Sequence, residues 1–499
     1  MKADRYLVIL ICIFAVALTV RLGLICLEPR ITPYYGMMTP IGDAARNLVE
    51  GRGYVIDREY IDRIMGLIYE NNRLFDIQDV PPPENEKFEE YYGIPPGPSL
   101  LMVATYKVFN DYRYIYVRIL QSFIDALGCF VIFLLGKELF NKKVGLTSSI
   151  LYALWLPIAY LATWPLHDAL MPFISLVIFY LFVKGVKNNS IKYYILSGLS
   201  CGIGCYFQPS IQLLPLFLGV GLLIYGLHKV DIWKQVCHAV KMTVITFGIM
   251  ALIISPWIVR NNILTGDFAG MRPLGFWMGL WEMSGEFGDS PDGAILDDNS
   301  TLELARKELG FNVKWGSPEC EDYFRPKVLN QIKDHTAWYL TLPIRRIPRA
   351  VINFSELGIN LHPAIRTDYQ VWLDYLYGTK DVQGYMEAAK GAQRGLQDGT
   401  FWNMVIKYPT GVFYLGLVWF FAFIPPLTSI IVFIVLRKNW RNFSLVAVLP
   451  IYFIIIHIML MVASYKSMVP GQIGYIVFCA FLISLLWKRP LPSISTAIA

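Results

Sequence analysis

Apolar runs long enough to cross a bilayer recur from one end of this chain to the other. Crossing a hydrocarbon core of about 30 Å takes roughly 20 apolar residues in a helix. No water there pairs a stray N–H or C=O, so the backbone must satisfy itself in helices or a closed barrel. About ten such runs are read, with approximate bounds 6–27, 113–140, 144–163, 166–184, 191–207, 211–227, 237–259, 408–436, 443–463 and 468–487. Composition agrees: 55% of the 499 residues are hydrophobic and 16% charged, more apolar surface than a soluble domain of that size has interior to bury. The expected fold class is an all-α integral membrane protein.

Basic residues give its orientation, because short cytoplasmic loops collect Lys and Arg. One set of span ends carries Lys2 and Arg5, Lys137, Lys142 and Lys143, Lys184, Lys187 and Lys192, Lys229 and Lys234, Arg437, Lys438 and Arg441, then Lys488 and Arg489. The opposite short loops, 164–167, 208–210 and 464–470, hold only Lys466. Both termini are therefore expected in the cytoplasm of a cell whose inner or plasma membrane the chain crosses. The implied organisation is a first transmembrane helix (1–27), an outer segment (28–112), transmembrane helices two to seven (113–259), a large outer loop segment (260–407), helices eight to ten (408–490) and a cytoplasmic tail (491–499). The net charge of +6 reflects this bias, so the bilayer is an expected partner and nucleic acid is not. Lys2 and Arg5 before Ala15-Val16-Ala17 also fit a secretory signal, but the apolar run continues past Arg21 to Leu27 and reads as an uncleaved helix. All cysteines except Cys320 fall in or at the ends of spans, which implies neither a disulfide framework nor a cysteine metal site.

The outer segments carry the polar chemistry. Gly42-Asp43-Ala44-Ala45-Arg46 opens a short helix running to Glu50, which Gly51 and Gly53 end. Pro95-Pro96-Gly97-Pro98 opens a second helix, 99–109, with a mostly apolar surface suited to the membrane face. The acidic, proline-containing stretch 76–90 between them reads as a solvated or mobile link, and 301–310 and 326–349 have helical character. Charge at the mouth of a membrane bundle is costly unless used. Asp43 suits a general base that takes a proton from an attacking hydroxyl, or simply a helix cap. Asp168, after Pro165 and beside His167, suits a substrate-binding or supporting role, or again a helix cap. Arg21 and Asp125 lie inside spans and suit a structural ion pair. His228, His238, His335, His362 and His457 lack ligand spacing, so no metal or other cofactor is expected.

These patterns together resemble the GT-C glycosyltransferases that use polyprenyl-phosphate sugars, the group of glycosyltransferase family 39-like enzymes that includes protein O-mannosyltransferases and the aminoarabinose transferases of lipid A. The resemblance runs from the first span to the last. It is carried by Asp43 with Arg46, Pro95 to Pro98, Arg118-Ile119-Leu120-Gln121, His167-Asp168, Pro256-Trp257-Ile258-Val259-Arg260-Asn261 and Tyr465-Lys466-Ser467-Met468-Val469-Pro470. It implies a GT-C type bundle of about ten transmembrane helices with juxtamembrane helices on the outer face. It also implies inverting transfer of a hexosyl or pentosyl group from a polyprenyl-phosphate donor, with Asp43 as base. Charge building on the departing phosphate needs fixed cations. Arg46, Arg260 and Lys466 are candidates, and Asp168, His167 and Tyr465 are further substrate-binding candidates. Each cation has an ordinary alternative: Arg46 an ion pair with Asp43, Arg260 and Lys466 interfacial anchoring. Ala44 stands where many protein O-mannosyltransferases have Glu, and the large extra outer domain of some relatives is missing. A lipid or cell-surface glycan is therefore the expected acceptor, with a protein hydroxyl as the alternative. A transporter or flippase of lipid-linked glycans also holds charges near an interface, but no inverted repeat is seen.

In a background cleared of the eight native cysteines, a probe cysteine at Asp289 is expected to react with a membrane-impermeant thiol reagent from outside. One at Lys142 should react only after the membrane is opened. The reverse pattern would remove the outward-facing donor site.

Overall fold

The computed structural model describes residues 2–27, 35–71, 75–91, 94–227, 231–265, 271, 276–285, 290–291, 298–310, 313, 318–352, 400–436, 440–460 and 469–486. In chain order the helices are α1 (Lys2–Leu27), α2 (Tyr35–Val49), α3 (Arg58–Asn71), α4 (Gly97–Phe109), α5 (Tyr114–Ala126), α6 (Gly128–Leu139), α7 (Lys142–Leu154), α8 (Leu156–Leu161), α9 (Met171–Asn188), α10 (Ile191–Cys205), α11 (Leu214–Gly226) and α12 (Ile232–Thr265). They continue as α13 (Phe276–Met283), α14 (Asp298–Leu309), α15 (Pro318–Asp334), α16 (Thr336–Ile352), α17 (Thr400–Lys407), α18 (Pro409–Leu436), α19 (Trp440–Leu460) and α20 (Gln472–Leu486). Two short strands, β1 (Val55–Asp57) and β2 (Phe88–Glu90), pair antiparallel with Val55 opposite Glu90 and Asp57 opposite Phe88. An all-α expectation does not contain this pair, and it proves central to the site.

Five helical runs among the described residues are long and apolar enough to span a bilayer: Tyr6–Leu27, Tyr114–Leu139, Met171–Asn188, Pro209–Gly226 and Ile232–Leu264. Shorter apolar helices cover Phe423–Leu436, Trp440–Ile456 and Val469–Leu485. The expected run 144–163 is interrupted. Trp155 leaves helical geometry at ψ 93°, and Pro157 restarts the chain as α8. The Trp155 indole N–H donates to Gln472 Oε1 at 2.6 Å, which ties the break to the start of α20. Where helices approach most closely the residues are small: a Cβ on Gly136 of α6 would lie 2.9 Å from the Cα of Gly145 on α7.

Arg21 of α1 and Asp125 of α5 pair, fully buried, with Nε donating to Oδ2 at 2.7 Å. Tyr152 of α7 donates its hydroxyl proton to the other carboxylate oxygen at 2.7 Å. Three helices are thereby joined by groups that would be costly alone in an apolar interior.

The described residues between α1 and α5 pack against the bundle instead of looping away. α2 begins at Tyr35, well before Asp43, and contains Pro40. Met38, Ile41 and Ala45 of α2, Tyr60 and Ile64 of α3, Ile77 and Val80, Met102 and Tyr106 of α4, Tyr114 and Val117 of α5, and Trp164 and Leu166 form one apolar cluster. The reading of 76–90 as a solvated link is therefore corrected. Ile77 and Val80 are buried, their carbonyls accept the Tyr60 hydroxyl, and β2 closes the stretch. Burial pushes Asp76 up to about 6 even though it accepts the Tyr114 N–H. After α12, Met278, Ala305, Cys320 and Phe324 pack together, and Glu321 caps α13 by accepting the N–H groups of Phe276, Trp277 and Met278.

Asp125→Ala leaves Arg21 buried and unpaired, and a loss of about 3–5 kcal/mol is expected in detergent-solubilised melts. Arg21→Met with Asp125→Leu should recover most of that loss. Equal loss in single and double variants would remove the pair as the reason for the destabilisation.

Candidate active site

Asp43 lies deep within α2 and is fully buried, so it does not cap the helix. Its Oδ2 accepts the backbone N–H of Asp57 at 2.7 Å and the Asn47 side-chain amide at 3.3 Å. Its Oδ1 faces the Arg46 guanidinium, 3.1 Å away and one helical turn on. Burial pushes Asp43 up to about 6, while the Asp57 N–H and Arg46 pull it down. A carboxyl in that range is mostly ionised at neutral pH, yet holds a proton more readily than an ordinary carboxylate.

The neighbours of Asp43 hold it without side-chain freedom. Gly42 lets the Tyr114 ring come close, since a Cβ there would lie 3.0 Å from Ile77 and still nearer the Tyr114 hydroxyl oxygen. Asn47 also donates to the Val55 carbonyl at 3.0 Å, fastening α2 to β1. The Asp57 carboxylate accepts the N–H of Tyr60 at 3.1 Å and of Lys87 at 2.9 Å, so it caps α3 and anchors the chain entering β2. Ala44, after the catalytic candidate, is buried with Ile56, Ile61 and Tyr91.

Arg46 donates to Glu86 Oε1 at 2.8 Å and lies over the Tyr60 ring at 4.5 Å. Arg260 lies inside α12, which continues to Thr265, and not beyond the end of a helix. Its guanidinium stacks on Trp257 at 4.6 Å and donates to Glu90 Oε2 at 2.5 Å. Since Glu90 pairs with Val55 across the sheet, Arg260 is linked to the Asp43 assembly through β1 and β2. Tyr54 joins them on the apolar side, edge-on to Trp257 at 5.4 Å with its hydroxyl donating to the Ile94 carbonyl at 2.9 Å.

Asp168 precedes α9, which starts at Met171, so it is part of a connection and not the first turn of a helix. Its Oδ1 accepts the Gln208 amide at 2.7 Å and its Oδ2 lies 3.3 Å from His167 Nε2. The connection reaches the outer cluster through Trp164 and Leu166, and Arg118 of α5 donates to the Thr163 carbonyl at 2.7 Å. Tyr465 and Lys466 lie outside the described residues. The structure thus brings Asp43 and Arg46 into contact, links Arg260 to them, and sets His167 with Asp168 in a neighbouring connection. Glu86 and Gln208 escape sequence reasoning because each meets a partner far along the chain, and Asn47 because an amide inside a helix carries no signal of its own, although Asp57 directly before a helical pattern is a legible cap.

Residues 94–259 match the family model described as dolichyl-phosphate-mannose-protein mannosyltransferase. No curated protein sequence matches the chain. Among solved structures it is similar to the Archaeoglobus fulgidus oligosaccharyltransferase in complex with zinc and sulfate, with TM-score 0.45 and 12% identity over 96% of this chain and 49% of that one. The apo form of that enzyme gives 0.46 and 13% over 97% and 50%. The archaeal oligosaccharyltransferase AglB from the same organism, with an inhibitory peptide and a dolichol-phosphate, gives 0.47 and 12% over 97% and 51%. The chain spans about half the length of these structures. The family match contains Pro95 to Pro98, Arg118 to Gln121, His167-Asp168 and Pro256 to Val259, whereas Asp43, Arg46, Arg260 and Lys466 fall outside it. The match bears out the resemblance read from the sequence: this chain is similar to the GT-C glycosyltransferases that use polyprenyl-phosphate sugars.

Proposed function

We propose that the protein is a multi-pass membrane glycosyltransferase of about ten spans. It moves a sugar from a polyprenyl-phosphate donor to a lipid or cell-surface glycan on the outer face of the cell membrane. The observation that carries the reading is the buried, proton-accepting carboxylate of Asp43 held against an arginine, in a chain similar over 94–259 to dolichyl-phosphate-mannose-using enzymes. A protein hydroxyl is the second acceptor reading, favoured by the protein acceptor in that family's description.

In this mechanism the Asp43 Oδ1 takes the proton of the acceptor hydroxyl, because Oδ2 is already held by Asp57 and Asn47. The acceptor oxygen bonds to the anomeric carbon as the bond from that carbon to the phosphate oxygen breaks, inverting the centre. The electron pair leaves on the lipid phosphate, whose growing charge meets Arg46, Arg260 and Lys466. His167, Asp168 and Tyr465 contribute to binding the substrates. No cofactor enters the scheme, since the lipid-linked donor is itself a substrate.

Because burial raises the Asp43 carboxyl, the base is protonated below about 6 and free above it. Transfer should therefore rise with pH through that value. Asp43→Asn keeps the size and the α2 packing, and is expected to abolish this limb with a rate about a hundredfold or more lower. A well-folded Asp43→Asn protein with near-normal transfer would shift the base role to Asp168.

Arg260→Ala and Lys466→Ala should each raise the donor concentration needed for half-maximal rate, with thermal stability retained. If donor dependence stayed unchanged in both and in Arg46→Ala, the phosphate would have to bind elsewhere.

A further inference from the structure

Arg46 and Arg52 share the Glu86 carboxylate, and each also has an acid of its own, Asp43 at 3.1 Å from Arg46 and Glu50 at 2.5 Å from Arg52. Glu86 Oε1 accepts from Arg46 at 2.8 Å, and its Oε2 lies 3.4 Å from Arg52 Nη2. Arg52 is brought round by the end of α2. Its N–H returns to the Asn47 carbonyl at 2.8 Å and the Gly51 N–H to the Leu48 carbonyl at 3.3 Å, a Schellman closure. That closure needs the left-handed φ of 79° at Gly51. The Arg52 side chain then donates to Asn47 Oδ1 at 2.9 Å, and Asn47 itself donates to Asp43. The base candidate and the two-arginine clamp are thus one hydrogen-bonded unit.

Planar guanidinium groups converging on an anion suit a phosphate as well as a carboxylate. Glu86 comes from a segment whose acids answer other arginines too, Glu89 on Arg58 and Glu90 on Arg260. The clamp is accessible on the Glu86 and Arg52 side, where the side chains are 17% and 33% exposed, while Arg46 is buried behind them.

We propose that Arg46 and Arg52 form a lipid-phosphate site that Glu86 occupies in the ligand-free chain, and that the phosphate of the polyprenyl substrate displaces it. This rests on the transferase reading above and adds Arg52 and Glu86 to its phosphate site. The clamp holds a monoester dianion better than a diester monoanion, so it favours the charge that builds as the sugar departs. The same preference makes the released lipid phosphate a competitive product inhibitor.

The test is equilibrium binding of a polyprenyl monophosphate in detergent, with the matching polyprenol and inorganic phosphate as comparisons, to the full chain and its variants. Glu86→Gln keeps the shape but removes the one anion that both arginines share, and should tighten lipid-phosphate binding about fivefold. Arg52→Ala should weaken it by a similar factor, Arg52→Lys should recover part of that, and melting temperatures should stay close to the parent. Polyprenol affinity should be the same in all. Looser binding in Glu86→Gln overturns displacement, because Glu86 would then be holding the arginines in place for the ligand. Unchanged affinity in both Glu86→Gln and Arg52→Ala, with Asp43→Asn inactive and Arg260→Ala impaired for donor, overturns this site and leaves the transferase reading standing. Inorganic phosphate bound as tightly as the lipid phosphate would overturn the lipid source.

Discussion

The backbone N–H of Asp57, given to Asp43 Oδ2 at 2.7 Å, joins the parts of the Asp43 site. It comes from the end of β1, so the position of the carboxylate is set by a strand and not by a flexible side chain. β1 is fixed by β2, β2 carries Glu90 to Arg260 on the long helix α12, and the Asp57 carboxylate starts α3 and holds Lys87. A buried carboxylate is stable in an apolar cluster only where N–H donors and a guanidinium answer it. Those partners come from β1, from α2 itself and, through Arg46, from the approach to β2. Moving any of them changes the proton affinity of Asp43 as well as its place.

The membrane part was legible because its physics is one-dimensional. Length and apolarity choose the helices, and the runs 6–27, 113–140 and 237–259 reappear as helices at close to those bounds. The pairing of Arg21 with Asp125 was legible for the same reason, since two opposite charges in an apolar interior have few other partners. The interruption at Trp155 was not. An apolar run with a single proline reads as one segment, and the bond that holds the break comes from a glutamine far along the chain.

The site was half legible. Asp43, Arg46 and Arg260 stand out because charge beside a membrane is rare, and the glycines after Glu50 correctly end α2. The helix starts at Tyr35, before the expected start at Asp43, and runs through Pro40 without a break. The stretch 76–90 was misread because acidic and proline-rich composition is also what a solvated loop shows. Only the arginines opposite turn its glutamates into structural contacts, and no local pattern announces them.

The hydrogen bond between Trp155 and Gln472 has a consequence for biosynthesis. Its partners are 317 residues apart, so the ribosome completes Trp155 on the order of tens of seconds before Gln472 emerges. During that interval the break between α7 and α8 lacks the amide oxygen that accepts its indole. The neighbourhood that α20 finally covers includes Trp155 and the Phe421 ring packed edge-on against it. The residues around Asp43 are made early, whereas the acceptor of the Trp155 indole is made 317 residues after it. A nascent chain halted before Gln472 would carry the break at Trp155 without the partner that holds it.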